Sequence, residues 1–93
     1  MVYGVYSIYD QAAKVFTSPV LDISDRSALR NFQQALANPG SVMNFKPEDF
    51  ALYQVGTFDV ETGYLDSFVP PSRLYVGSDG DIRKELMNAE ANV

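Results

Sequence analysis

Three regularly spaced tyrosines near the N-terminus are the first residues of this chain that could do chemistry. Tyr3, Tyr6 and Tyr9 lie within the segment VYGVYSIYD. A tyrosine hydroxyl can attack a DNA phosphodiester, but enzymes that nick DNA in this way need a metal site, usually built with histidines, and the chain has no histidine. Tyrosine rings can also stack on unpaired bases. Base stacking and ordinary packing within a strand therefore both stay open for these rings.

Carboxylates offer a second possible chemistry. Glu48, Asp49, Asp59 and Glu61 could supply a pair for acid–base catalysis, provided that a concave pocket separates their pKa values. Two of the four lie at the edges of predicted turns, where acidic residues are ordinary. The acidic stretch that begins at Asp79 lacks the ligand spacing of an EF-hand calcium loop. A carboxylate-based hydrolase is thus disfavoured, and we predict no metal site.

The composition narrows the function further. The 93 residues include no histidine and no cysteine, which excludes a Ser-His-Asp triad, a thiol nucleophile and a Cys/His zinc site. We therefore predict a protein that is not an enzyme, with no catalytic residues and no cofactor. Seven basic residues against 12 acidic ones give a net charge of −5, which argues against general affinity for nucleic acid. No apolar run reaches about 18 residues, so no membrane partner is expected.

The first elements are two strands. Residues 2–9 are β-branched and aromatic, which is typical of a strand. Because side chains alternate along a strand, Tyr6 is expected on the opposite face from Tyr3 and Tyr9. Residues 14–17 predict a short second strand, which Pro19 ends or limits to a sheet edge.

One helix is clearly predicted between Ser24 and Asn38. Ser24 can cap it, and Asp25 suits the first turn. Asn38-Pro39-Gly40 ends it, because proline cannot continue a helix. Apolar residues recur at helical spacing and predict a buried stripe. The stripe consists of Ala28, Leu29, Phe32, Ala35 and Leu36.

A hairpin follows the helix. Residues 50–59 have strand character, residues 60–63 form a turn with Gly63 in a positive-φ position, and residues 64–68 return. Pro70-Pro71 indicates the end of the sheet. We therefore predict a small α+β domain with one helix on a mainly antiparallel sheet in the order β-β-α-β-β, formed by residues 1–69. Residues 70–93 are predicted to be a partly flexible C-terminal extension.

Three basic residues could form a local phosphate-binding patch despite the acidic total. Arg26 and Arg30 are four residues apart and share a helix face, and Lys14 precedes the second strand. The alternative is a solvated helix surface partly paired with Asp22 or Asp25. Charge alone therefore limits the affinity for nucleic acid without excluding it.

Several segments together resemble a known family. YSIYD, ALRNFQQALANPGS and above all PEDFALYQVGTFDVETG are similar to the small nonstructural protein of gokushovirus-type microviruses, bacteriophages with circular single-stranded DNA genomes. The resemblance covers about residues 5–65. It implies a replication or DNA-binding protein in the cytoplasm of the infected bacterial host, with a role in the switch from double-stranded to single-stranded DNA synthesis. It assigns no catalytic residues.

The residues and the resemblance lead to one expected function and one alternative. We expect a homo-oligomer that binds single-stranded DNA weakly. Its expected contacts are basic side chains and sheet aromatics, namely Lys14, Arg26, Arg30, Tyr3, Tyr9 and Tyr53. The alternative is an acidic adaptor that binds the viral replication initiator or a host replication factor, since a negative surface suits a basic partner.

Overall fold

The computed structural model describes residues 1–77, in which three strands precede the helix and two follow it. The strands before the helix are β1 (Val2–Asp10), β2 (Val15–Phe16) and β3 (Val20–Asp22). Helix α1 (Asp25–Ala37), the short helix α2 (Val42–Phe45) and a 3₁₀ turn (Pro47–Asp49) lead to β4 (Phe50–Asp59) and β5 (Leu65–Val76). The α+β class with one long helix is confirmed, whereas the predicted β-β-α-β-β order is not, because it lacks β3.

All the strand pairs form one antiparallel sheet with β1 and β4 at its centre. The order is β2-β1-β4-β5, and β3 pairs with the same side of β1 as β2. Strand β1 pairs with β4 from Val2 opposite Asp59 to Asp10 opposite Phe50. Residue Val55 of β4 is bulged, since Gln54 and Gly56 pair with the consecutive residues Tyr6 and Val5.

Helix α1 covers one face of the sheet through the predicted apolar stripe. Four of its five residues are buried, and Ala35 packs partly buried beside them. The helix begins as predicted, because the Ser24 hydroxyl accepts a hydrogen bond from the Ser27 amide at 3.1 Å. The core beneath it combines strand and helix residues: Tyr6, Ala28, Leu29, Phe32, Leu36, Met43, Phe50 and Leu52.

Two loops between strands each contain a residue whose backbone lies in the left-handed region of φ/ψ space. Gly63, in the β4–β5 turn, has φ 77°, as predicted. Lys14 ends the loop between β1 and β2 with φ 59°, a conformation that glycine and asparagine adopt more readily than lysine. The Asp10 carboxylate accepts hydrogen bonds from the amides of Ala12 and Ala13 and so fixes the start of that loop.

Strand β5 continues through the prolines that the sequence analysis placed at the start of an extension. It runs to Val76, and the Val69–Pro70 peptide bond is cis. Ser67 pairs with Gly56 and Ser72 with Gln54, so residues 68–71 form an excursion from the sheet edge. The predicted boundary at 69/70 falls inside this strand. The division into a core and a partly flexible extension stays a prediction, since residues 78–93 lie outside the described residues.

Candidate nucleic-acid interface

Three aromatic rings form a cluster on the sheet face that α1 leaves open. Ile8 and Leu52 face the helix, so their neighbours Tyr9 and Tyr53 project from the other side. The centroid of the Phe16 ring lies 4.8 Å from that of Tyr9 and 5.3 Å from that of Tyr53. The Tyr9 and Tyr53 centroids are 6.2 Å apart, in an edge-on arrangement. We name Tyr9, Phe16 and Tyr53 the aromatic platform.

The platform is accessible to solvent. Phe16 is 44% exposed on the short edge strand β2, and Tyr9 and Tyr53 are half-buried. Rings in this edge-on geometry stabilise one another. The three rings come from β2, β1 and β4, and their mutual centroid distances of 4.8 to 6.2 Å make them a compact triangle. The exposed side of this cluster can stack against an unpaired base.

Two cations lie near the platform. Arg73 of β5 pairs in register with Tyr53 and is exposed, so it shares the open face. Lys14 is exposed in the loop two positions before Phe16. Among residues 1–77, the register rows of the open face from Tyr3 to Tyr9 and their partners on β4 and β5 include no carboxylate. The face is therefore aromatic and apolar, with a positive charge at each side.

The two remaining N-terminal tyrosines have different positions. Tyr3 pairs with Phe58, near the far end of the open face from the platform. Tyr6 is buried beneath α1, and its hydroxyl donates a hydrogen bond of 2.6 Å to the Asp25 carboxylate. Burial, together with the nearby Asp25 charge, raises the pKa of Tyr6 well above its usual range. Tyr6 is therefore a structural residue, on the face opposite to Tyr9 as the alternation predicts.

The predicted helical cations lie on the other layer of the molecule. Arg26 and Arg30 are exposed on α1, which packs against the face opposite to the platform. A single copy therefore brings Lys14, Tyr9 and Tyr53 to one region and leaves Arg26 and Arg30 elsewhere. The sequence showed which side of the helix these arginines occupy, but not which face of the sheet the helix covers.

Two residues of the candidate interface, Phe16 and Arg73, were not predicted as site residues from the sequence. Phe16 pairs with Tyr9 across the loop between β1 and β2, so the spacing of seven residues around a four-residue loop could have identified it. Arg73 could not have been found in this way. Its pairing with Tyr53 depends on the irregularity between Gln54 and Gly56 in the β4–β5 register, which has no local pattern.

The four candidate carboxylates lie at two turns: Glu48 and Asp49 are in the 3₁₀ turn before β4, and Asp59 and Glu61 are at the β4–β5 turn. Among residues 1–77, no group of three or more acidic side chains could hold a metal ion. The Asp59 carboxylate accepts a hydrogen bond of 2.9 Å from the Glu61 amide, which lowers the pKa of Asp59 and makes it a weaker base. Within the same residues, no helix is long and apolar enough to cross a membrane.

Comparison with known proteins gives one match. Neither the curated proteins nor the solved structures contain a similar protein. A family model described as "Phage ORF5 protein" matches residues 3–80, a range that includes the platform, α1 and almost every strand residue. The bacteriophage setting expected from the sequence is confirmed, and the narrower resemblance to gokushovirus-type microviruses stays a prediction. Since the match covers more than half of the chain, the protein belongs to the Phage ORF5 protein family.

Proposed function

We propose that the protein is a non-enzymatic microvirus protein that binds single-stranded DNA during viral replication in the host cytoplasm. The aromatic platform is the observation that supports this proposal most strongly. The partly exposed ring cluster suits an unpaired base, and Lys14 and Arg73 suit the neighbouring phosphates. Stacking is independent of base identity, because every base has a π-face.

The affinity of one copy is expected to be low. Two cations neutralise few phosphates, and the net charge of −5 repels DNA at long range. A homo-oligomer raises the affinity by presenting several platforms to one strand, since the second binding event is then intramolecular. In such an assembly, Arg26 and Arg30 of one copy can lie near the platform of another.

A salt titration tests this function. Fluorescence anisotropy of a labelled oligonucleotide is measured with the full chain at 50 and 200 mM salt. Two phosphate contacts predict a log–log slope of about −1.4, which is a loss of about sevenfold in affinity over this range. If the oligonucleotide does not bind even at 50 mM salt, the proposed function is wrong.

A matched pair of variants locates the binding. Tyr53→Leu removes a platform ring, and the loss of one stacked base predicts an affinity about 5- to 150-fold lower. Tyr64→Leu makes the same change at the β4–β5 turn, where the side chain is 72% exposed and lies outside the platform. It is expected to bind like the natural chain. Equal losses from both substitutions would show that DNA does not occupy the platform.

The adaptor function has an observation of its own. Around the β4–β5 turn, the carboxylates of Asp59, Glu61 and Asp66 lie near the exposed apolar side chains of Val60 and Leu65. An acidic surface with apolar side chains suits a basic protein partner. Co-purification of the viral initiator or a host replication factor from infected cells, by a chain that does not bind naked DNA, would favour the adaptor.

A further inference from the structure

An apolar cleft opens between α1 and the segment that joins β2 to β3. Its volume is about 140 Å³, and its walls include Ile8, Ala28, Phe32 and Leu52. A dry cavity of about 150 Å³ lined by similar side chains holds one benzene molecule. The cleft therefore has room for a single aromatic ring.

The polar groups at the mouth of the cleft already have partners. The Asn31 side-chain amide donates to the Asp22 carboxylate at 2.9 Å, and the Ser7 hydroxyl donates to the Thr17 carbonyl at 2.7 Å. A polar ligand would gain few new hydrogen bonds there, whereas an apolar group would gain the full benefit of leaving water. The cleft thus suits an apolar side chain better than a polar ligand.

The same chain exposes an aromatic side chain of the required size. Phe45, at the end of α2, is 88% exposed. It is followed by Lys46, which is also exposed and has no carboxylate within 4.0 Å among residues 1–77. The Asp22 carboxylate lies at the cleft and can accept a further hydrogen bond. Val69 is 92% exposed but has the uncharged neighbours Phe68 and Pro70, so charge complementarity favours Phe45.

Phe45 does not reach the cleft of its own chain. Helix α2 packs at the C-terminal end of α1, where the Asn44 amide donates to the Leu36 carbonyl at 2.8 Å. The α1 residues in the cleft extend from Ala28 to Phe32. Leu36 lies four residues beyond Phe32, about 6 Å along the helix, and Phe45 is 88% exposed, so it does not occupy this cleft.

Association through the sheet edges is a less suitable route to an oligomer. Pro19 separates the two short edge strands β2 and β3, and Pro70 and Pro71 interrupt β5 at the other edge. Proline has no amide hydrogen to donate, and short or interrupted edges resist pairing with another chain.

We propose that the cleft of one copy binds the Phe45 side chain of a second copy, with Lys46 of that copy beside Asp22. The contact is head-to-tail, so each copy offers one ring and one cleft, and repetition builds a ring or a filament. This inference deepens the homo-oligomer part of the proposed function and rests on it in that respect only.

Complementation between two variants tests the contact. Phe45→Ala removes the ring and keeps the cleft, whereas Ser18→Trp places an indole at the cleft and keeps the ring. We expect the natural chain to associate in sedimentation equilibrium as its concentration rises, and each variant alone to associate at least tenfold more weakly. An equimolar mixture should form a 1:1 heterodimer that does not extend.

Three further variants keep the result interpretable. Val69→Ala is the matched control, because it shortens an equally exposed apolar side chain away from α2, and it should associate like the natural chain. Lys46→Glu, on an exposed side chain, should weaken association about fivefold through repulsion from Asp22. Circular dichroism reports whether each variant is folded, and Val20→Trp, at an exposed cleft residue of β3, replaces Ser18→Trp if that variant is unfolded.

The outcomes separate this contact from DNA binding. A monomeric natural chain, a Phe45→Ala variant that associates normally, or a mixture of folded variants that forms no heterodimer would each overturn the proposal. Anisotropy with an oligonucleotide short enough for one copy is then measured on Phe45→Ala, and unchanged affinity is expected. Association without any DNA binding would contradict the proposed function and leave the Phe45 contact intact.

Discussion

The two faces of the sheet use tyrosine in opposite ways. On the covered face, Tyr6 is buried beneath α1 and donates a hydrogen bond to Asp25. Three residues later, Tyr9 lies on the open face, half-buried among the rings of the platform. The same residue type on the same strand thus stabilises the fold on one face and is available for binding on the other.

This difference shows that residue type does not separate a structural tyrosine from one that is accessible to a ligand. What separates them is whether a second layer covers the face of the sheet on which the tyrosine lies. The covered face has a helix that excludes water and a carboxylate that pairs with the hydroxyl. The open face has ring neighbours and solvent. Substitutions matched across the two faces can therefore contradict or sharpen the comparison.

The largest expected effect is the loss of stability when a buried side chain on the covered face is removed. Phe32→Ala removes a buried ring from α1 and should lower the free energy of unfolding by about 3–5 kcal/mol, because it leaves a cavity. Phe16→Ala on the open face should cost only about 1–1.5 kcal/mol, mainly from lost ring contacts. Urea unfolding measures both values. Equal losses would show that the open face is as much a core as the covered one.

The hydroxyl groups of the two tyrosines give a second comparison. Tyr6→Phe removes the hydrogen bond to the Asp25 carboxylate and should lower the free energy of unfolding by about 1.5 kcal/mol. Tyr9→Phe, three residues away, should change it by less than about 0.5 kcal/mol. The same urea experiment applies. A costly Tyr9→Phe would mean that the Tyr9 hydroxyl has a structural partner.

The raised pKa of Tyr6 predicts a loss of stability in alkali. Above pH 10 the unfolded chain releases the Tyr6 proton while the folded chain keeps it, so the unfolded state becomes favoured as the pH rises. Relative to Tyr6→Phe, the natural chain should lose up to about 1.4 kcal/mol per pH unit above pH 10. Urea midpoints at pH 9, 10 and 11 measure this difference. Parallel pH profiles for the two chains would contradict the burial of an un-ionised Tyr6.

The smallest expected effect concerns a cation of the open face. Arg73→Gln should flatten the log–log salt dependence of DNA binding by about 0.7, the value for one phosphate contact on a single strand. Arg26→Gln on α1 removes the same charge from the other layer and should leave the slope of a single copy unchanged. Anisotropy at several salt concentrations compares them. A larger change in slope for Arg26→Gln than for Arg73→Gln would indicate that DNA binds at α1 and not at the open face.

Much of the fold could be predicted because its determinants are local. Each feature that predicts α1 lies within a short stretch of sequence. These features are the Ser24 cap, the apolar spacing within the helix and the Asn38-Pro39 pair that ends it. The turn at Gly63 is local in the same sense, and the observed β4 has the predicted bounds. Strand β3 escaped prediction because it has only three residues and exists through its pairing with β1.

Some residues of the candidate site could be predicted from the sequence, but the contacts between them could not, because those contacts depend on pairing between distant strands. Tyr9 and Tyr53 were identified by residue type and alternation, whereas their proximity depends on the pairing of β1 with β4. Arg73 lies on a strand that continues past two prolines, although proline usually interrupts a strand, so its place in the sheet was not predicted. Arg26 and Arg30 were grouped with the tyrosines because the sequence does not show that the helix layer lies on the opposite face of the sheet from Tyr9 and Tyr53.

The left-handed backbone of Lys14 has a consequence for how this position can change. A residue other than glycine in this region costs about 1 kcal/mol or more, so glycine or asparagine would make a more stable loop. Either would also remove the positive charge beside Phe16. Under the proposed function, loop stability favours glycine at position 14 whereas contact with DNA favours a base, so Lys14→Gly should raise the free energy of unfolding and weaken DNA binding.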